Sequence, residues 1–454
     1  MRYLLVFFLV AARCLSLPAQ QVNPGSNFDP TVYPDRVMLT IPGDPATSCA
    51  VSWRTVYENT VSAGEIIEAF PSPRPEKQAR MVQGTSAAWE KGSSAAMGHK
   101  VVFDDLKPGT LYAYRVGDGT NWSEWFQFKT ASDKAGPFSF LYFGDVQDQI
   151  KSDCSRVLRQ AYTHFPSAGF MLFAGDLVSR SNENYWREFF YAGDWIFGTK
   201  ASVPTPGNHE YDKLEDGSRT FSKHWQQIFT MPGNGPDEKF AERVYYFDYQ
   251  GARFISFDSP AMGTDPADAE MILNWLDQTL LENPNPWTIV FTHYPVYSCS
   301  QGRDNEEYRQ AVKPILEKYG VDLVLTGHDH TYCRGQNPKE AGGGGKNKPM
   351  YVVSVAGPKM YGLATSFWSD RMASNTQLYQ HITVSGNSLN YQSYTINGQL
   401  YDEFEITKNN KGENRVSVPG KIGLIKQRTE IPENAKDRYT EEDLQKYQKK
   451  FGEK

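Results

Sequence analysis

A chain of 454 residues has room for two or three domains and a large core. Its formal net charge of −6, from 47 Lys+Arg against 53 Asp+Glu, argues against nucleic acid as the main partner. No segment beyond the N-terminus is long and apolar enough to span a membrane.

Arg2 followed by the apolar run 4–12 reads as a secretory signal peptide over 1–19, cleaved after Ala19. That predicts an exported protein, periplasmic or extracellular, with no transmembrane anchor. Cys14 follows Arg13 and so does not make a lipoprotein site. Cys49, Cys154, Cys299 and Cys333 remain in the mature chain, and an oxidising compartment permits pairing. Cys299 and Cys333 each lie a few residues past a candidate ligand-bearing strand end and are the pair to expect. Four buried thiols are the alternative.

Residues 30–132 predict a small all-β domain. The segments 36–41, 48–55 and 99–103 alternate apolar and polar residues with period two. Leu106-Lys107-Pro108-Gly109-Thr110 is a turn, followed by a strand at 111–117 and another at 122–130. Trp53, Trp122 and Trp125 read as core or near-core aromatics. Short strands, a core Trp53 and a turn leading to Tyr112 resemble a fibronectin type III-like sandwich. Residues 131–137 form the linker.

From 136 to 398 the pattern changes to strands alternating with helices. Helices are expected at 154–165, 184–197, 265–281 and 305–319, the third with Asp268 as a candidate cap. A hairpin at 245–258 turns on Gln250-Gly251, and a flexible loop occupies 341–346. Strands resume at 350–355, 378–384 and 388–395. Residues 410–454 are charged and read as a partly ordered tail.

Five of the strand-like segments end in a metal-donor residue. Residues 138–143 run into Gly144-Asp145, and 170–174 into Gly175-Asp176. Residues 203–206 lead to Gly207-Asn208-His209-Glu210, 287–292 to His293, and 321–326 to Gly327-His328-Asp329-His330. Carboxyl ends of strands in open α/β sheets are where ligands bind. One Gly-Asp alone is as easily a helix cap. Together, two Asp, one Asn and three His can form a two-metal centre that shares one carboxylate.

This constellation resembles the calcineurin-like metallophosphoesterases. The preceding sandwich, with Val51-Ser52-Trp53 and Pro108-Gly109-Thr110-Leu111-Tyr112, narrows the likeness to their purple acid phosphatase-like branch. The resemblance implies an N-terminal fibronectin type III-like sandwich followed by an α/β domain built as a two-sheet β sandwich flanked by helices. It implies that Asp145, Asp176 and His330 hold one metal, and that Asp176, Asn208, His293 and His328 hold the other. It gives His209 the role of stabilising or protonating the leaving oxygen, with Glu210 as its partner. The implied activity is hydrolysis of small phosphate monoesters by in-line attack of a metal-bridging hydroxide.

Three positions depart from the family pattern. Ser179 stands where purple acid phosphatases place the tyrosine that binds ferric iron, which favours divalent Zn, Mn or Fe over Fe(III). Gln147 stands where many relatives have histidine, as a weak oxygen donor or a residue beside the metal. Beyond His293 no further histidine occurs until His328, leaving Arg303 and Tyr297 as candidate substrate contacts, with an ordinary loop arginine as the alternative for Arg303. A phosphodiesterase acting on nucleotides or glycerophosphodiesters is the rival enzyme reading. A surface-binding sandwich with a vestigial metal site is the rival of another class.

Overall fold

The computed structural model describes residues 29–89, 96–215, 217–336, 348–365, 368–418 and 424–452. The expected signal peptide, and the loop at 341–346, lie outside the described residues. Among the described residues no helix is long and apolar enough to cross a membrane.

The N-terminal domain is a sandwich of two four-stranded antiparallel sheets. One carries Asp35–Thr40, Cys49–Val56 and Ala96–Phe103, the other Ala63–Glu68, Leu111–Gly117 and Phe126–Lys129. Trp53 and Tyr114 are buried between them. The tyrosine corner forms, with the Tyr112 hydroxyl accepting from the Lys107 amide at 2.8 Å. Trp122 and Trp125 correct the expectation of core aromatics. Both are half-buried, and the Arg115 guanidinium lies over them at 4.5 and 4.9 Å. Their rings thus cover an arginine that also pairs with Glu65.

The second domain packs two seven-stranded sheets face to face. One runs Ala201–Thr205, Phe170–Ala174, Phe138–Phe143, Leu378–Ser385, Ser388–Thr395, Leu400–Lys408, Asn414–Ser417. The other contains Tyr245–Tyr249, Ala252–Ser256, Trp287–Phe291, Leu323–Thr326 and Met350–Val353. Their inner faces meet through aromatic edges, with Phe254 5.2 Å from both Phe140 and Phe170. Helices Pro266–Leu281 and Glu306–Lys318 cover the outer face of the second sheet with Ile272, Leu276, Val312 and Leu316.

The expected helix at 184–197 divides into Glu183–Gly193 and Ile196–Thr199. Asp194 takes φ 46° between them, and a side chain at Gly193 would collide with the Phe197 ring. The cap of helix Pro266–Leu281 is Asp265, whose carboxylate accepts from the Ala267 amide at 2.8 Å. Asp268 pairs with Lys239 instead. Pro266 at the first helical position explains the earlier start.

Among the described residues after 410, some segments take regular structure. Asn414–Ser417 adds an edge strand and Glu441–Phe451 forms a helix. Tyr439 and Tyr447 are buried in the same apolar cluster as Leu363 and Trp368, their own ring centroids 5.6 Å apart. Two tyrosines on an otherwise polar segment suffice to dock it.

The two domains meet through buried polar contacts. Arg36 and Arg54 of the sandwich both grip Glu183, and the Tyr114 hydroxyl donates to the Gly198 carbonyl at 2.7 Å. The Ser52 hydroxyl donates to the Ile228 carbonyl at 2.6 Å.

Candidate metal centre

Parallel pairing aligns the donor-bearing strand ends. Phe138–Phe143, Phe170–Ala174 and Ala201–Thr205 run parallel in one sheet. Trp287–Phe291 and Leu323–Thr326 run parallel in the other. Each chain leaves its strand abruptly: Asp145, Asp176, His328 and His330 have φ of 35°, 50°, 71° and 49°. Non-glycine residues in that region carry strain, and such clusters mark functional sites. Gly207 and Gly327 allow the closest approaches, since a Cβ at either would collide with the carboxylate of Asp176 or Asp145.

Two groups of donors converge, Asp145 with Asp176 and His330, and Asp176 with His293 and His328. Asp176 is common to both. Its Oδ2 lies 3.3 Å from His293 Nε2 and accepts from the Gln147 amide at 2.9 Å, while Oδ1 accepts from the His209 backbone amide at 2.9 Å. Asn208 Oδ1 is 3.3 Å from His293 Nε2. All six expected ligands therefore share one site.

Backbone carbonyls orient the imidazoles. His293 Nδ1 donates to Ala174 at 2.8 Å and His330 Nδ1 to Lys359 at 3.0 Å, which turns each Nε2 towards the centre. His328 is turned the other way, with Nδ1 3.2 Å from His293 Nε2.

The charge balance of this cluster is open. Asp145 is fully buried, and neither of its carboxylate oxygens has a hydrogen-bond partner. Burial pushes its carboxyl well above the usual range, with only partial relief from His293. Burial also opposes the Asp176 charge, but His293, His209 and His328 outweigh it and hold that group below the usual range. Burial opposes protonation of His293, yet Asp176 raises it to about 9. Burial and Lys359 push His330 down to about 3. Buried carboxylates without partners are costly, and divalent cations would supply the missing charge. Mixed carboxylate, imidazole and amide donors suit divalent transition metals as a class. The residues present therefore fit a two-metal group.

Glu210 departs from its expected role. It is buried and its carboxylate receives the amides of Asp176, Leu177 and Gly207 at 3.0, 2.9 and 2.7 Å. It ties the second and third donor loops together and does not touch the His209 ring. Burial and the Asp176 charge push its carboxyl up to about 8. His209 is oriented by the Ser179 carbonyl, 2.6 Å from Nδ1, and its ring is about a third exposed at 31%. Its Nε2 is 3.9 Å from Asp176 Oδ2.

Gln147 is buried with its Nε2 3.1 Å from His330 Nε2, while Oε1 has no partner. An amide turned by 180° would present that oxygen to the same place. The Ser179 hydroxyl accepts from the Asp148 amide at 3.0 Å and so fastens the first donor loop to the second. Arg303 is not a free fork: Nη1 donates to the His328 carbonyl at 2.7 Å and lies 3.5 Å from Asp329 Oδ1. Tyr297 is buried between Trp368 and Tyr351, away from any substrate, because its apolar ring completes the core beneath the loop.

Several neighbours escaped sequence reasoning. The Tyr294 ring lies 4.4 Å from His328, and Tyr361 lies 4.7 Å from His330. Arg219 Nη1 reaches the Asn208 carbonyl at 3.5 Å. Tyr294, directly after a donor histidine, carried a local signal. Tyr361 and Arg219 carried none. The Cys299–Cys333 disulfide forms, joining the segment after His293 to the one after His330 with Cα atoms 6.5 Å apart. Cys49 and Cys154 are buried thiols.

Residues 138–332 match the family model described as Calcineurin-like phosphoesterase, and residues 34–130 the model described as Purple acid Phosphatase, N-terminal domain. The chain is 26% identical to probable purple acid phosphatase 20 of Arabidopsis thaliana, over 76% of this chain and 79% of that protein. It is likewise 26% identical to acid phosphatase type 7 of Mus musculus, over 71% and 75%. The solved structure of PhoD shares the fold with a TM-score of 0.63 at 13% identity, covering 92% of this chain and 98% of that one. The chain thus joins a purple acid phosphatase N-terminal domain to a calcineurin-like metallophosphoesterase domain, with purple acid phosphatases among its distant relatives.

Proposed function

We propose that this metallophosphoesterase is an exported, acid phosphatase-like enzyme that hydrolyses phosphate monoesters. The observation that carries the reading is the meeting of Asp145, Asp176, Asn208, His293, His328 and His330 around unpaired carboxylate oxygens, with His209 beside them. Asp145, Asp176 and His330 would hold one metal, and Asp176, Asn208, His293 and His328 the other. Bound there, two divalent ions polarise the phosphoryl group and lower the pKa of water to make a nucleophile.

The chain's own residues do the rest. Ser179 fixes the His209 ring through Nδ1, so Nε2 is the position that donates to the departing oxygen. Glu210 keeps the Asp176 and Asn208 loops in register, so that both donors arrive together. The Ser179 hydroxyl, held by Asp148, offers no phenolate, which supports Zn, Mn or Fe(II) over Fe(III). Export is supported by the leader-like residues 1–19 and by the disulfide.

The test is metal analysis joined to turnover of mono- and bis-p-nitrophenyl phosphate. The expected result is two divalent ions per chain, no visible charge-transfer band, and faster cleavage of the monoester. Faster cleavage of the diester would replace the reading with a phosphodiesterase. No turnover by metal-loaded protein would remove the enzyme reading.

A further inference from the structure

One side of the centre carries positive charge that the ligand set does not use. The Tyr361 ring, against His330, has the Arg438 guanidinium 4.4 Å from its centroid, the Arg303 guanidinium at 4.8 Å and the Lys359 ammonium at 5.7 Å. Asp329 is buried and answers Arg303. Among the described residues neither Lys359 nor Arg438 has a carboxylate within ion-pairing distance. Three cations thus gather around one ring with a single carboxylate among them, an excess of positive charge that an anion would offset.

The arrangement is held by structure. The Lys359 carbonyl accepts from His330, and the Tyr361 amide donates to the His330 carbonyl at 3.1 Å. Arg438 comes from the docked C-terminal segment. Beside it, the Tyr439 hydroxyl donates to the Leu363 carbonyl at 2.7 Å and the Asn434 amide to the Met360 carbonyl at 3.2 Å. Ala435 and Tyr439 are buried. Arg438 is therefore brought to the centre by anchored neighbours on both sides.

We infer that Lys359 and Arg438, stacked on Tyr361, form a subsite for a second phosphate group, so that the favoured substrates are small phosphate monoesters carrying another phosphate. This rests on the phosphomonoesterase reading. The cleaved phosphate would lie at the metal centre and the second against the ammonium and guanidinium, where charge-assisted hydrogen bonds are strong.

The metal-loaded protein is assayed with fructose 1,6-bisphosphate and fructose 6-phosphate, and the ratio of their kcat/KM values is compared among wild type, Arg438→Gln, Lys359→Gln and the double variant. The wild-type ratio should favour the bisphosphate. Each substitution should lower the ratio by about five- to tenfold, and the double variant by more. Metal content and circular dichroism establish that the variants are folded and loaded. A ratio equal to wild type in the double variant overturns the subsite, whatever happens to the separate rates. So does a fall in both substrates by the same factor, which would mean the cations serve only the cleaved phosphate. If wild type turns over neither sugar phosphate nor p-nitrophenyl phosphate, the hydrolase reading fails. The subsite is then judged by calorimetric binding of the two sugar phosphates. Tighter binding of the bisphosphate that the double variant loses supports it, and equal binding overturns it.

Discussion

Two of the buried charge clusters, one at the domain interface and one at the candidate metal centre, differ in whether their polar atoms find partners. At the domain interface Glu183 receives Arg36, Arg54 and the Trp89 indole, and Arg54 also makes a two-pronged contact with Asp35. At the centre neither oxygen of Asp145, nor Oε1 of Gln147, has a hydrogen-bond partner, and Asp145 has His330 Nε2 only at 3.6 Å. A closed network of charges orients and holds its elements. A buried network left open requires something from outside to complete it. The difference separates a fastener between domains from a site for cations.

The largest effect should come from removing the one carboxylate shared by both donor groups. Asp176→Ala is expected to reduce turnover to background and to lose both metals, read by elemental analysis after gel filtration. Two retained ions would show that the groups do not depend on a common residue. His209→Ala comes next. It should keep its metals and lose about 10²–10⁴-fold in kcat on alkyl phosphates, with a smaller loss on p-nitrophenyl phosphate, since a poor leaving group needs the proton more. An equal loss on every ester across graded leaving groups would make His209 a structural residue.

The interface cluster should respond in stability and not in rate. Glu183→Gln leaves Arg36 without its carboxylate and should cost about 3 kcal/mol, measured by denaturant titration, with turnover per folded molecule retained. Burial opposes the Glu183 charge, but Arg36 and Arg54 outweigh it and hold the carboxyl below its ordinary value of 4.5. Its contribution is therefore complete above pH 4.5 and is lost as pH falls through the lower folded value. The gap between wild type and variant should narrow as the pH falls below 4.5, and a gap that stays constant through acid unfolding would contradict the pairing. The smallest effect belongs to Gln147. Gln147→Ala should weaken metal binding by about tenfold, in chelator competition, with little change in unfolding. A loss of stability without a change in metal affinity would move Gln147 into the closed class of network.

The candidate donors could be picked out because each is written locally. A short apolar run makes a strand, glycine allows a sharp exit, and the next residue is an Asp, Asn or His. Parallel strands end on one edge within each sheet, and the face-to-face packing of the two sheets brings the two sets of strand ends together. The sandwich was legible through alternation and the Tyr112 corner, although Ala63–Glu68 and Arg80–Gln83 passed unnoticed because their patterns are short and interrupted. Composition pointed to a partly ordered tail but could not say which residues dock it, and Tyr439 and Tyr447 are among those that do.

What the sequence determined by itself was the kind of domain and which residues are candidate donors, both properties of residues near one another in the chain. Tertiary structure alone decided which partners the polar side chains took. Glu210 serves amides 33 and 34 residues earlier and not the adjacent His209. Arg303 turns to Asp329, Tyr297 into the core, and Arg438 onto Tyr361. Hydrogen bonds and ion pairs act over a few ångströms in space, so their partners depend on how distant segments pack, which no local pattern records.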